Sequence, residues 1–328
     1  MRWWETRKIA DVRSVAGDAI VGESRKDGIF EITLSSWRLI DAVLYTMNDM
    51  SHAIYRGVSQ SDHRLEPSIF RRYAFRRMQT IDARNDYILN CFRHFKEAVR
   101  GRRGPLAKPV EFYNDYELWS LGRHFGVKNT MLDWSHSPYV SLFFAFSNWS
   151  EEGTRALFCL KRNVIERFQN AGTRPDDIEK SQATRDGRDT DSDMMADLTL
   201  SPFPGRSQLA FYKPFSDDNF RMIHQQGLFT VSKSPHTVEE WVAHNYGEIR
   251  RHLLDARNVE TEAKRVRRLS AEIESGWILL RINVRTDEAD RRDILKKLNR
   301  MNVNYATLFP DIEGASMYAN MQGDIPHY

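Results

Sequence analysis

The stretch GRHFGVKNTMLDWSHSPYVSLFFAFS, residues 122–147, decides how the centre of the chain folds. Its front half mixes turn residues with alternating apolar ones, which predicts a loop that runs into a short strand. Ser137 and Pro138 predict a helix start, because serine caps helix N-termini and proline is tolerated in the first turn. The following YVSLFFAFSNW is apolar on nearly all sides and should be a buried helix. We therefore expect a polar wall that leads into a buried helix.

Outward from this stretch, short predicted strands are interspersed with predicted helices. Strands are predicted at 28–34, 156–161, 227–232 and 277–284. Helices are predicted after Ser35 or Ser36 and at 76–99, 110–122, 236–275 and 287–301. The region 170–206 is rich in Asp, Arg, Gly, Ser and Thr and should be an exposed insertion, either a lid or a linker. The pattern indicates an α+β fold rather than a regular doubly wound sheet.

The composition of the 328-residue chain is that of a folded globular protein. Hydrophobic residues make up 41% and include eighteen phenylalanines, while 28% charged residues can cover the core. The longest apolar runs fall short of the roughly 18 to 20 residues that cross a bilayer, and the charged N-terminus lacks the apolar core of an export signal. Cys91 and Cys159 lack neighbours at metal-ligand spacing, which fits a reducing compartment. We expect a cytoplasmic protein with no membrane partner and no structural zinc.

Arginine clusters matter more than the small net charge of +3. They lie at 71–77, 100–104 and 251–269. Such clusters are most often solvated surface, but mixed with aromatic residues they also occur on nucleic-acid-binding surfaces. Common dinucleotide, P-loop, zinc-protease, hydrolase and CxxC motifs do not occur in the sequence.

Five ordered blocks carry a different signal. They are YRG (55–57), EPSIFR (66–71), RHFGVKNTMLDWSHSPYVSLFFAF (123–146), RMIHQQGLFT (221–230) and TLFPDIEGA (307–315). In these blocks the chain resembles the FRG-domain family, named after a Phe-Arg-Gly tripeptide that here reads Tyr55-Arg56-Gly57. The family's middle block is matched by His124, Phe125, Gly126, Thr130, Met131, Leu132, Asp133, Trp134, Ser135, Ser137, Pro138, Phe144 and Ala145. The departures are Tyr at 55, Met at 131 and Ser at 135, each of which keeps size or chemistry.

The resemblance implies a domain over 35–320, preceded by N-terminal strands at 1–34 and followed by a tail at 321–328. The family's arrangement is similar to that of ADP-ribosyltransferases, in which mostly antiparallel small sheets of mixed type are flanked by helices. In those enzymes an Arg or His on one strand, a Ser or Thr strand leading into a helix, and a late acidic residue surround NAD. The order here matches, with Arg56, then Thr130 to Ser135, then Glu313 or, as second candidate, Asp311.

The resemblance also implies roles for these residues. Arg56, Glu313 and His124 would be catalytic, and the NAD-binding set would be Tyr55, Arg56, Gly57, Thr130, Asp133, Trp134 and Ser135. Arginine can hold the phosphates through its guanidinium fork, and glycine allows close backbone approach. Tyr55 or Trp134 could stack on the nicotinamide, and the hydroxyls could bond the carboxamide or ribose. A carboxylate can stabilise the charge that develops on the ribose.

Structural explanations compete with each of these roles. Asp133 could form an Asx turn at the helix start, and Trp134 could belong to the core. Arg56 could be a buried cation paired with Asp133 or Glu66. His124 could be a packing histidine, and Pro310 to Gly314 could be an ordinary loop around Glu313.

Three functions follow as hypotheses. The first is an NAD-dependent ADP-ribosyltransferase-like toxin or anti-phage defence effector that uses NAD as substrate and no metal. Its acceptor would be a nucleic acid such as RNA, or a protein, and a toxin would need a neutralising antitoxin. The second is a non-catalytic nucleic-acid-binding module. The third is a ligand-sensing or scaffold protein, which would be favoured if Arg56 and Glu313 lie far apart.

Overall fold

The structure is a computed structural model, and it describes residues 20–46, 52–100, 113–148, 153–171, 199–214, 220–255 and 276–328. The chain divides into two compact units. Unit 1 comprises residues 1–64, 135–169 and 242–328, and unit 2 comprises residues 65–134 and 170–241. Most of the predicted insertion, residues 172–198, lies outside the described residues, as do residues 1–19.

The described elements follow in chain order. The strands are β1 (Ile20–Lys26), β2 (Ile29–Leu34), β3 (Ala53–Val58), β4 (Met131–Ser135), β5 (Gly153–Lys161), β6 (Leu209–Tyr212), β7 (Gly227–Ser232) and β8 (Leu279–Thr286). The helices are α1 (Ile40–Thr46), α2 (Tyr73–Arg77), α3 (Ile81–Val99), α4 (Asp115–His124), α5 (Pro138–Ser147), α6 (Arg162–Asn170), α7 (Phe220–His224), α8 (Val238–Asp255), α9 (Glu288–Arg300), α10 (Tyr305–Leu308) and α11 (Ile312–Asp324). Short 3-10 turns lie at Trp37–Leu39 and Arg206–Gln208.

The strands of unit 1 lie in the order β1-β2-β8-β5-β3. Neighbouring strands are antiparallel except for β2 and β8, which are parallel. Strand β3 also pairs antiparallel with the last residue of β4, where Tyr55 lies opposite Ser135. The mixed, mostly antiparallel arrangement, flanked by helices, confirms the predicted α+β class.

Helix α5 is the central packing element of unit 1, as its apolar sequence predicts. The Ser137 hydroxyl accepts a hydrogen bond from the Val140 N–H at 3.3 Å, and Pro138 occupies the first turn. Val140, Leu142 and Phe143 join one core with residues of β2, β3, β5, β8 and α9. The helix is therefore buried against the sheet.

Two buried arginines donate hydrogen bonds to backbone carbonyls at the C-terminal end of α5. Arg155 donates to the Ala145 carbonyl at 2.7 Å, and Arg291 donates to the carbonyls of Phe146 and Ser147 at 3.0 and 3.2 Å. These carbonyls have no partner within a regular helix, so the arginines satisfy acceptors that would otherwise be buried unpaired. Burial, followed by the nearby Arg291 charge, lowers the pKa of Arg155.

We expect Arg291→Met to lower the free energy of unfolding by about 2 to 4 kcal/mol, because two buried carbonyls lose their donor. Urea denaturation would measure the change. The neighbouring Arg292 provides a matched control, because it also contacts Glu288 but its side chain is 40% exposed. Arg292→Met should cost less than about 1 kcal/mol. Equal losses in the two variants would contradict the capping role of Arg291.

Unit 2 has its own core. Strands β6 and β7 are antiparallel, and β7 follows β4 in strand order. Helices α3 and α4 pack together through an edge-to-face contact between Phe92 and Trp119, with ring centroids 5.1 Å apart. Met131, Phe229 and Val231 join these aromatic residues in one buried cluster.

The ends of the described chain both join the core of unit 1. Strand β2 pairs with β1 and with β8, so the N-terminal strands belong to the unit 1 sheet. The region Pro310–Gly314, considered as a loop, instead contains the start of α11, and this helix continues to Asp324. The expected tail boundary at 321 therefore falls inside a helix, and Met321 and Ile325 are buried in the core. None of the described helices combines the length and apolarity needed to span a membrane.

Candidate functional site

The Tyr-Arg-Gly strand and the strand that leads into α5 are direct neighbours. Tyr55 of β3 lies opposite Ser135 of β4. The Ser135 hydroxyl accepts a hydrogen bond from the Ser137 N–H at 2.9 Å, which fixes the turn between β4 and α5. The structure therefore brings together the tripeptide and the serine that the sequence singled out.

Gly57 faces helix α5. A Cβ atom at this position would lie 1.8 Å from the Ser141 carbonyl oxygen and 3.0 Å from the Ala145 Cβ. The close approach that the sequence predicted for Gly57 is therefore made by the protein's own helix. The predicted contact of Gly57 with NAD stays a prediction.

Tyr55 lies on the same face of β3 as Gly57, because side chains two residues apart on a strand share a face. It is only 7% exposed and belongs to the core of unit 1. Burial, together with the adjacent Cys159, raises the pKa of the Tyr55 hydroxyl. Both observations favour a packing role for Tyr55, and its predicted stacking on nicotinamide stays a prediction.

Arg56 projects from the opposite face of β3. In the registers of the sheet it aligns with Phe158 on β5, Arg281 on β8 and Glu31 on β2. The Arg281 guanidinium lies 5.5 Å from the centre of the Phe158 ring and 3.8 Å from the Glu31 carboxylate. This row places two guanidinium groups and a carboxylate on one face. Glu31 and Arg281 were not among the predicted site residues, although each is the one charged residue within a predicted apolar strand, 28–34 and 277–284.

The chain that leads to the late acidic residues packs against helix α5. Tyr305, the first residue of α10, packs edge-on against Phe143 of α5 at 4.9 Å, so the chain that leads into α11 lies on the α5 side. Asp311 caps α11 by accepting from the Gly314 N–H at 2.9 Å, and Glu313 is exposed in the first turn. The predicted roles of Glu313 and Asp311 beside Arg56 stay predictions.

Asp133, one of the predicted site residues in unit 2, forms an ion pair with Arg123. The Arg123 guanidinium donates to the Asp133 carboxylate at 2.8 Å and to the Ser68 hydroxyl at 3.4 Å. Arg123 is the more buried partner, with its side chain 14% exposed against 44% for Asp133. Asp133 therefore has a specific cationic partner within its own unit. Glu66, the other partner considered for Arg56, pairs with Arg76 at 3.0 Å.

His124 lies beside this ion pair and contacts the Phe229 ring edge-on, with centroids 6.0 Å apart. Its Nε2 atom is buried without a hydrogen-bond partner in the described part of the chain. Burial lowers the pKa of His124, the charge of Asp133 opposes this effect, and Arg221 and Arg123 reinforce it. A neutral imidazole beside two arginines and a carboxylate can accept or donate a proton, so the catalytic prediction for His124 remains chemically reasonable.

The lowered pKa of His124 makes a testable contribution to stability. The unfolded state binds the proton more tightly than the folded state, so this contribution is present above the ordinary pKa of 6.5 and is lost as the pH falls below it. We expect the free energy of unfolding to fall more steeply between about pH 7 and pH 5 in the wild type than in His124→Gln. Urea denaturation across that pH range would measure the free energy of unfolding of the wild type and of His124→Gln. The other histidines contribute equally to both proteins, so their effect cancels when the two curves are subtracted. Parallel curves would contradict the burial effect.

Asn129 is buried and forms hydrogen bonds to three separate segments, although it was not among the predicted site residues. Its side chain donates to the Trp119 carbonyl at 3.0 Å and accepts from the Met131 N–H at 3.1 Å. Its backbone N–H donates to the Ser68 hydroxyl at 3.2 Å. Asn129 thus links helix α4 and the segment around Ser68 to β4. The signal in the sequence was an asparagine placed between a predicted turn and an apolar predicted strand.

Thr130, which directly precedes β4, and Trp134, near the end of β4, are both buried. The Trp134 indole N–H donates to the Thr230 hydroxyl at 2.9 Å, which fixes the ring against β7. The Thr130 hydroxyl has no partner among the described residues, and neither has the hydroxyl of Ser232, whose N–H donates to the Thr130 carbonyl at 3.1 Å. Ordered water commonly satisfies buried hydroxyls of this kind. The predicted NAD contacts of Thr130 and Trp134 stay predictions.

No group of three or more His, Cys, Asp or Glu side chains in the described segments is arranged to hold a metal ion.

The comparisons with curated proteins and with solved structures gave no significant match. The FRG-domain family model matches residues 51–154. The matched segment includes the Tyr-Arg-Gly strand, the Arg123–Asp133 pair, β4 and α5. The segment that matches an FRG domain therefore begins two residues before β3, includes the buried helix α5 and ends in β5.

Proposed function

We propose that this chain is an NAD-dependent ADP-ribosyltransferase-like enzyme that acts as a toxin or an anti-phage defence effector. The bond between nicotinamide and ribose would break, nicotinamide would leave, and the ribose carbon would bond to a nucleophile on a nucleic acid or protein acceptor. A toxin of this kind would require a neutralising antitoxin. The single observation that supports the proposal best is the pairing of the Tyr-Arg-Gly strand with the Ser135 end of β4.

The role of Arg56 follows from its place in unit 1. Its side chain leaves the sheet on the face that also carries Arg281, and one strand, β5, lies between them, so their backbones are about 10 Å apart. Both side chains are long enough to bind the same diphosphate, and guanidinium forks match phosphate oxygens. Arg56 and Arg281 are therefore our candidates for holding the diphosphate of NAD.

Two carboxylates compete for the role of the acid that stabilises charge on the ribose. Glu313 is the candidate from the family resemblance, and the chain that leads to it packs against α5. Glu31 lies in the same row as Arg56 and Arg281. Because a stabilising carboxylate must act close to the bound dinucleotide, the geometry of unit 1 favours Glu31 over Glu313.

Incubation of the full chain with labelled NAD and a cell extract tests the proposal. We expect release of nicotinamide and transfer of label to a macromolecule. Glu31→Gln should reduce both, and Glu313→Gln should not if the reaction occurs on the Arg56 face. Loss of activity in Glu313→Gln alone would restore Glu313 as the acid. If the folded protein neither binds nor consumes NAD, the proposed enzymatic activity is wrong.

A non-catalytic ligand-sensing protein is the second candidate, favoured because the chain before Glu313 packs against α5 while Arg56 projects from the opposite face of β3. Such a protein would bind NAD or another phosphate-bearing ligand without breaking it. Isothermal titration with NAD, followed by chromatography of the recovered nucleotide, separates the two functions. Binding with intact NAD recovered, in the presence of cell extract, would support the sensor.

A further inference from the structure

Helix α2 in unit 2 presents almost all of its side chains to solvent. Only Phe75 is buried, where it stacks on Phe70 with centroids 5.1 Å apart and meets Tyr87 edge-on at 6.1 Å. Phe75 thus anchors one short turn of helix to the core. The neighbouring side chains, Arg71, Arg72, Tyr73, Arg76 and Arg77, are exposed, and we call them the Tyr73 patch.

The Tyr73 patch is strongly positive. Four arginines occur in the seven residues RRYAFRR, which contain no acid. Arg76 pairs with Glu66 at 3.0 Å and also donates to the Phe70 carbonyl at 3.2 Å, so its position is fixed. Arg71, Arg72 and Arg77 form no ion pair with any of the described residues. Within the described segments, these three cations therefore have no carboxylate within ion-pair distance.

Tyr73 adds an aromatic surface among these cations. Its side chain is 74% exposed, although a tyrosine ring has a large apolar area. Arg77 donates to the Tyr73 hydroxyl at 2.6 Å, and its guanidinium carbon lies 5.4 Å from the ring centre. These contacts hold the ring in one orientation, so less entropy would be lost when a ligand stacks on it.

From this combination we infer that the Tyr73 patch binds single-stranded nucleic acid. Guanidinium forks fit successive phosphates, and an exposed aromatic ring stacks on an unpaired base. A duplex keeps its bases stacked inside and would use only the charges, while an acidic peptide or an anionic membrane would not use the ring in this way. RNA and single-stranded DNA share the required chemistry. The inference concerns binding alone and does not depend on the proposed reaction with NAD.

Fluorescence anisotropy with the full chain tests the inference in the absence of NAD. The probes are labelled RNA and DNA single strands of about 12 nucleotides and a duplex of equal length. We expect the single strands to bind more tightly than the duplex, and Tyr73→Ala to weaken their binding by about tenfold. The double variant Arg71→Gln and Arg72→Gln should reduce the slope of log affinity against log salt by about 1.4, which corresponds to two lost phosphate contacts.

Tyr45→Ala is the matched control, because Tyr45 in α1 is 79% exposed but lies outside the arginine cluster. It should leave affinity unchanged, and circular dichroism should show that all variants remain folded. If RNA and DNA bind equally, the patch recognises phosphates and bases only; a preference for RNA adds recognition of the 2′-hydroxyl, and either result supports the inference. Absence of binding, equal binding of the duplex, or wild-type affinity in folded Tyr73→Ala would overturn it.

Discussion

Arg56→Ala is expected to lower the rate of NAD consumption by about 100-fold or more, the scale on which loss of one preorganised charged donor acts. Arg56 extends from a strand held on both sides, by β5 and β4, and this fixes the base of its side chain. Arg56→Lys should recover only part of the rate, because an ammonium keeps the charge but cannot form two parallel bonds to a diphosphate. The initial rate of nicotinamide release would be measured for the wild type, Arg56→Ala and Arg56→Lys.

A neutral control is available in the same unit. Arg38 follows β2, its side chain is 64% exposed, and it pairs with Asp293 at 3.0 Å. Arg38→Ala should keep the wild-type rate, because an exposed ion pair contributes little and Arg38 has no place in the Arg56 row. If folded Arg56→Ala keeps the wild-type rate, Arg56 has no role in the reaction and the proposed site is wrong.

Gly57→Ala is expected to destabilise the protein by at least about 3 kcal/mol, the upper range for overpacking. The new methyl group would lie 1.8 Å from the Ser141 carbonyl oxygen, which belongs to the backbone of α5 and cannot rotate away. Relief requires the whole helix to move off the sheet. Because most domains are stable by only about 5 to 15 kcal/mol, this variant should show a much lower urea midpoint or fail to fold.

Gly247→Ala is the opposite case and serves as its control. Gly247 lies within α8, and an added Cβ would meet no atom within 4 Å. Alanine favours helix by up to about 1 kcal/mol over glycine, so this variant should be slightly more stable than the wild type. Equal midpoints for Gly57→Ala and the wild type would show that α5 does not pack against β3 as described.

Local signals in the sequence predicted several elements well. Ser137 and Pro138 marked the start of α5, and Ser36 caps the turn before α1 through a bond from the Arg38 N–H at 3.3 Å. Strand β7 was predicted at the bounds observed, 227–232. These elements depend on capping atoms and apolar spacing within a few residues, which a sequence displays directly.

Helix α11 and the short helix α2 were not predicted. The α11 sequence, IEGASMYANMQGD, contains two glycines and little amphipathic periodicity. One of them, Gly314, is needed because a Cβ there would lie 1.9 Å from the Phe309 carbonyl oxygen. Packing onto the preceding turn, rather than helix propensity, therefore stabilises this helix.

The sequence by itself determined the α+β class, the buried helix, and the residue types around which an FRG domain is recognised. The family resemblance also predicted Arg56 on a strand, and in β3 the alternation of side chains sends Arg56 away from Tyr55 and Gly57. Only the tertiary structure decided what each face meets. Helix α5 fills the space above Gly57, Arg123 takes Asp133 as its partner, and Arg281 and Glu31 join the row of Arg56. These contacts join residues distant in the sequence through strand register and helix packing, which no local pattern encodes.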